Sequence, residues 1–326
     1  MHNLYFILLL FLSACQLGVP KFPKEETLSA ELMPLEGTTF PLRLEIKHPY
    51  LVLQNLKLQD SIFHIYDLRD NKLKSAFGQI GEGPQEFVVP WLIQNQFADL
   101  LIEDRHIIHR FQINEKGEAI FKGTREPNYI SQVSNAVFVN DTTFIVDAMY
   151  TAPDLYLLNF GSDLPEKIWT YRNSYIVDYY ADPNMGNVYA NENRIVFCYG
   201  YKKQIDFMDT EFNLIKRIKF RFDNPTQVNT SNQGDVPMSY VYAYLGKRYL
   251  YALFLGTSWN ENRANFTCGT YLEVYDLDGN PVIRYHLKGR RPVYYVVDET
   301  NYTLYGAGEE GEPEDNLLVY KLKGLS

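Results

Sequence analysis

The stretch at residues 60–87, DSIFHIYDLRDNKLKSAFGQIGEGPQEF, restricts what this chain can fold into more than any other. Ile62, His64 and Tyr66 alternate with Phe63, Ile65 and Asp67. Period two in β-branched and aromatic residues predicts a strand. Arg69-Asp70-Asn71 follows as turn chemistry, because Asp and Asn tolerate the left-handed region and bond their own backbone. Residues 72–77 return as the second arm of a hairpin, and a glycine-proline crossing leads away.

The same phrase recurs. YDLRDNKLKSAF begins at Tyr66, FQINEKGEAIF at Phe111, LNFGSDLPEKIW at Leu158, FMDTEFNLIKRIKF at Phe207, YDLDGNPVIRYHL at Tyr275 and YKLKGLS at Tyr320. The anchors lie about 45–49 residues apart, with one interval of 68 that is too short for a further unit and reads as inserted loops. Six such units predict an all-β chain: a six-bladed β-propeller of four-stranded antiparallel blades. After Tyr320 too little chain remains for a returning strand. Residues 27–33 are therefore expected to supply the outer strand of the last blade, closing the ring with the head of the chain.

The composition agrees with an ordered β domain: 15% aromatic, with 26 Tyr and 20 Phe. No amphipathic helix of useful length stands out. The formal charge of −9 and the lack of any basic block exclude a nucleic-acid interface, which needs concentrated positive charge.

Residues 4–14, LYFILLLFLSA, form an apolar run too short to span a bilayer and placed like a secretory h-region. Residues 1–14 are read as a signal peptide, 15–27 as a proline-bearing tether and 28–326 as the propeller domain. Cys198 lies in an apolar strand and Cys268 at the end of a loop; a disulfide between them is left open by the sequence.

In a four-stranded meander the connections sort by face. Turns between strands one and two, and three and four, are short here. Connections between strands two and three, and between blades, are long: residues 78–90, 172–186, 222–238, 256–269, 288–292 and 306–315. Long loops on a rigid scaffold usually carry binding sites. The candidate ligand-binding residues on that face are Tyr179, Tyr180, Trp259, Arg263, Arg290 and Arg291. Tyr and Trp stack on sugars or peptides, and Arg forks a carboxylate.

The crossing GQIGEGPQEF is not a phosphate loop, since no Lys-Ser/Thr follows and no helix opens. Its Gly81, Gly83, Pro84, Glu86 and Phe87 resemble the signature of six-bladed propeller lipoproteins of Bacteroidetes, a TolB-like group related to NHL-repeat propellers. The tetrad LSAC before and at Cys15 is similar to a bacterial lipobox, although residues 1–3 carry no Lys or Arg. The resemblance implies the propeller fold, acylation of Cys15, membrane attachment through that lipid alone, and a place in the cell envelope on the outer membrane. It implies no catalytic residue, and Glu86 is expected to act as a structural acceptor.

His106 and His109 stand three apart on a strand and face opposite ways, which is wrong for one metal. The acidic loop at 306–315 lacks EF-hand spacing. No metal, cofactor or catalytic set is assigned. The expected function is a non-catalytic, membrane-anchored binding module for a glycan, peptide or partner protein. The alternative is an envelope hydrolase or lyase, for which Asp178, Asp182, Glu309 and Glu310 are the available carboxylates.

Overall fold

A computed structural model describes residues 21–37, 40–55, 61–83, 86–105, 107–127, 134–147, 154–220, 228–265, 270–308 and 315–325. The expected signal peptide, Cys15, Pro84, His106, Cys268, Glu309 and Glu310 lie outside the described residues.

Two strands precede the first blade, β1 (Glu25–Ser29) and β2 (Glu31–Pro34). Blade one is β3 (Pro41–Lys47), β4 (Tyr50–Asn55), β5 (Phe63–Asp67) and β6 (Lys72–Phe77). A small parallel pair follows, β7 (Gln79–Ile80) and β8 (Glu86–Phe87). Blade two is β9 (Pro90–Ile93), β10 (Leu100–Asp104), β11 (Ile107–Ile113) and β12 (Ala119–Arg125). Blade three is β13 (Ser134–Phe138), β14 (Thr143–Asp147), β15 (Asp154–Asn159) and β16 (Lys167–Thr170). Blade four is β17 (Gly186–Ala190), β18 (Ile195–Tyr199), β19 (Gln204–Met208) and β20 (Leu214–Lys219). Blade five is β21 (Tyr240–Leu245), β22 (Tyr249–Phe254), β23 (Tyr271–Asp276) and β24 (Pro281–Lys288), with the helix α1 (Trp259–Ala264) between its second and third strands. Blade six is β25 (Pro292–Asp298), β26 (Thr303–Gly308) and β27 (Asn316–Lys321).

The recurring phrase is a capped hairpin. In blades two, four and five, an Asx side chain at the end of the third strand accepts two backbone N–H groups around the turn. Asn114 Oδ1 takes those of Lys116 and Glu118, Asp209 Oδ1 those of Glu211 and Asn213, and Asp276 Oδ1 those of Asp278 and Asn280, all at 2.7–3.0 Å. The turn residue with positive φ is Gly117, Phe212 or Gly279. Phe212 holds this strained conformation with its ring stacked near Trp169.

The head of the chain closes the ring, but residues 27–33 do not act as one strand. Only β2 completes blade six, pairing antiparallel with β27 through Leu32↔Leu318. β1 instead adds a fifth strand, parallel to β24, at the outer edge of blade five. The reason lies in the side chains it meets on blade five. Glu25 pairs with Arg284 at 2.7 Å, Leu28 is buried, and Phe22 packs edge-on against Tyr275. Among the described residues, strand pairing of the head of the chain begins at Glu25.

The core lies between blades. One cluster joins blades five, six and one through Tyr251, Tyr285, Tyr295, Leu304, Leu44 and Tyr66. Polar side chains tie neighbouring blades across their inner edges. Gln54 bonds both the Pro90 carbonyl and the Leu92 N–H, and Tyr189 OH accepts from the Ala243 N–H. Blade four opens at Gly186, where a Cβ would stand 2.4 Å from the Cys198 carbonyl oxygen. Cys198 is a free, buried thiol, pushed up by burial.

The glycine crossing wraps a carboxylate. Gly83 N–H donates to Glu86 Oε2 at 2.8 Å, and a Cβ on Gly81 would meet that oxygen at 1.9 Å. Phe87 is fully buried against Phe63. Glu86 is therefore a structural acceptor. Gly81→Ala is expected to lower stability by about 1–2 kcal/mol, because it displaces a charged acceptor from its N–H. In a Glu86→Ala background the same change should cost little. A double-mutant cycle by urea denaturation measures that coupling.

Candidate functional site

Among the described residues, hollows follow the ring axis at three levels. A vestibule of about 400 Å³ opens on the long-loop face, lined by Phe40, Leu42, Trp259, Arg263, Val293 and Tyr294 among others. An axial cavity of about 310 Å³ runs between the inner strands and shares Tyr294 with the vestibule. A cup of about 1170 Å³ opens on the opposite face, among the short turns of blades one, two, five and six. Gln96 floors the cup. This blade-two side chain crosses to blade five, opposite in the ring, and donates to Tyr244 OH and the Leu245 carbonyl, both at 3.1 Å.

Helix α1 positions the vestibule. Ser258 caps it, accepting from the Glu261 N–H at 3.1 Å. Trp259 and Arg263, four residues apart, share one helix face. Arg291 anchors the helix: it is buried, its Nε donates to Asn262 Oδ1 at 2.6 Å, and its guanidinium lies 4.4 Å from the centre of the Trp259 ring. Asn260 Nδ2 donates to Asp235 Oδ1 at 2.7 Å, tying α1 to the preceding loop. Trp259 is therefore half-buried, with one face against Arg291.

The structure brings Trp259, Arg263 and Arg291 together. Arg290 is the exposed neighbour of Arg291, and its carbonyl accepts from Tyr320 OH at 2.8 Å. Tyr179 and Tyr180 stand apart, in a 3-10 turn between blades three and four. Tyr179 is buried, donates to the Gly186 carbonyl at 3.1 Å and lines the axial cavity, while Tyr180 is exposed beside it. Of the carboxylates considered for catalysis, the two among the described residues are occupied. Asp182 is buried and accepts from the Asn173 N–H, Asn173 Nδ2 and the Asn184 N–H. Asp178 caps the Tyr180 N–H and accepts from Thr230. His109 packs edge-on against Phe87, and burial pushes its imidazole down. Among the described residues no group of three or more His, Cys, Asp and Glu side chains could hold a metal ion.

The axial wall holds residues that sequence reading missed. The Arg43 guanidinium lies 4.8 Å from the Trp91 ring centre and 6.0 Å from that of Tyr294. Glu103 accepts from the Ala136 N–H, and burial raises its carboxyl. Asp147 accepts from Tyr171 OH with both oxygens, at 2.8 and 2.9 Å. Burial pushes Asp147 up to about 6 from 3.8, against the lowering effect of the Tyr171 bond. Between those values the native state keeps a proton that the unfolded chain has lost. Asp147 therefore favours the folded state at low pH, and this contribution is lost as pH rises through the window. It amounts to on the order of 2–3 kcal/mol. Denaturation of wild type and Asp147→Asn at pH 4 and pH 7 should show the wild type losing that much more stability between the two.

A family model described as TolB-like 6-blade propeller-like matches residues 21–300. Two solved structures are similar in fold. One, from Bacteroides fragilis NCTC 9343 and described as an exported protein, is 10% identical with TM-score 0.57, covering 91% of this chain and 98% of that one. The other, a DUF4221 family member from Bacteroides vulgatus ATCC 8482, is 14% identical with TM-score 0.56, covering 90% and 97%. No curated protein matches the sequence.

Proposed function

Since this chain belongs to the TolB-like 6-blade propeller-like family, we propose that it is a non-catalytic binding module of the cell envelope. Its ligand, a glycan fragment, a peptide or a partner protein, enters the long-loop vestibule. The observation that carries this reading is the fixed pair on α1: an aromatic face and a guanidinium one helical turn apart, turned into a hollow walled by Phe40, Leu42 and Tyr294. An aromatic platform beside a guanidinium suits a ligand that joins an apolar ring or chain to a carboxylate. Arg291 holds the platform in place before the ligand arrives, which limits the entropy lost on binding.

The envelope location is supported by the apolar run at residues 4–14, the LSAC tetrad and the Bacteroides fragilis neighbour whose description is that of an exported protein. The chain would be held to the outer membrane by acyl groups on Cys15 and by no protein segment.

Glycan and peptide arrays probed with the mature chain, carrying Cys15→Ser, test the site. Trp259→Ala and Arg263→Ala should each weaken capture about tenfold or more. Equal capture by wild type and both variants would contradict the assignment.

A further inference from the structure

The cup on the short-turn face is a second site, independent of the vestibule. Its charges sort by whether they are already engaged. Lys47 is consumed: its Nζ donates to the Asn95 and Phe97 carbonyls and to Asn95 Oδ1, and lies 2.7 Å from Glu45. Arg69 is chelated by Asp67 through Nε and Nη2. Glu299 is consumed too, since its carboxylate accepts from the N–H groups of Lys247, Arg248 and Tyr249 and from Tyr251 OH. That last set fixes the Lys247–Arg248 turn against blade six. Lys247 stands exposed, and beside it the exposed Arg248, whose Nη2 donates to the Glu299 carbonyl at 2.9 Å and whose guanidinium lies 4.9 Å from the Tyr302 ring centre, completes a cationic wall of the cup.

Next to Glu299 in the chain stands Asp298, which is only 4% exposed. Its Oδ1 accepts from the Thr300 N–H at 2.9 Å. Its Oδ2 accepts no hydrogen bond among the described residues. His48 Nδ1 stands 3.9 Å from that oxygen, beyond hydrogen-bond reach. A buried carboxylate oxygen without a donor is unfavourable, so a guest that supplies one gains more than it would at a hydrated surface. An ammonium supplies three donors and the opposite charge.

We propose that the cup binds a small zwitterion, an amino acid or short peptide, with its ammonium on Asp298 Oδ2 and its carboxylate against Lys247 and Arg248. A simple anion would leave Asp298 unmet. A simple amine would bring a positive charge beside Lys247 and Arg248 without compensation. A molecule carrying both charges satisfies both walls. At about 1170 Å³ the cup has room for several residues.

The test uses the mature chain with alanine, dialanine and trialanine as probes, and with trialanine N-acetylated or C-amidated. Ligand-observed NMR and calorimetry read the binding. At least one free peptide should bind with Kd of about 1 mM or tighter, and N-acetylation should weaken it at least about tenfold. Asp298→Asn should abolish the discrimination against the N-acetyl form. Lys247→Ala, a change at an exposed residue, should abolish the discrimination against the amide. No binding by any free peptide, equal binding of the N-acetyl form, or full discrimination in Asp298→Asn would each overturn the proposal.

Discussion

Glu273→Ala should lower the free energy of unfolding by about 3–5 kcal/mol, the largest loss expected from a single substitution here. Glu273 is fully buried in β23 and bonded on both oxygens. Lys203 Nζ donates to Oε1 at 2.8 Å, while Tyr240 OH and Tyr275 OH donate to Oε2 at 2.8 and 2.9 Å. The ammonium also lies 3.7 and 4.3 Å from the ring centres of Phe254 and Phe220. Burial pushes Lys203 down, against the pull of Glu273. Removing the carboxylate leaves a buried cation without its counter-charge and two phenols without an acceptor. Replacing the pair together, by Lys203→Met with Glu273→Leu, should recover much of the loss, because neither charge is then stranded. Guanidinium denaturation of the wild type and these two variants decides it. A loss under about 1 kcal/mol for Glu273→Ala would mean the network adds nothing to blade packing.

Removing the chain up to residue 34 should be at least as damaging, at about 5 kcal/mol or more, with association of the product. The truncation takes away β1 and β2 together. It strips Leu28 and Met33 from the core shared by blades five, six and one. It also bares the edges of β24 and β27, which then present unpaired N–H and C=O groups. Truncation to residue 30 removes β1 alone and leaves the ring closed by β2, so it should be much milder. Denaturation midpoints and sedimentation of the two truncated chains separate the cases. Equal stability would mean that β2 contributes nothing to closure.

The repeating hairpin was legible because its chemistry is local. Period-two strands and an Asx-capped turn occupy a dozen residues, and Asp209, Asp276 and Asn114 make the bonds that their residue types predict. Ring closure was legible from the missing last strand. The division of residues 25–34 into two strands on two blades was not. Nothing at Ala30 marks a break, and the pairing of β1 is decided by Arg284 and Tyr275, some 250 residues away.

In the vestibule, Trp259 and Arg263 were singled out together because they lie in one long connection, while the short helix that sets them on one face was not foreseen. Arg291 and Tyr179 look the same in sequence as exposed recognition residues, yet both are buried supports. The axial residues Arg43, Trp91 and Asp147 were missed because strand periodicity gives two faces without saying which neighbours meet at the axis. The cup was missed for a different reason. Loop length singled out the opposite face, whereas Asp298, Lys247 and His48 sit on short turns that converge only when blades five, six and one are set side by side.

Both hollows depend on the ring being closed by the head of the chain, and a cross-link tests that most directly. Leu32 and Leu318 face each other across β2 and β27. With Leu32→Cys and Leu318→Cys, mild oxidation of the folded chain should give one disulfide joining these positions in peptide mass maps, since antiparallel partners lie within disulfide reach. A folded chain in which that link does not form, or in which the thiol introduced in β2 joins another segment, would contradict the closed six-bladed ring.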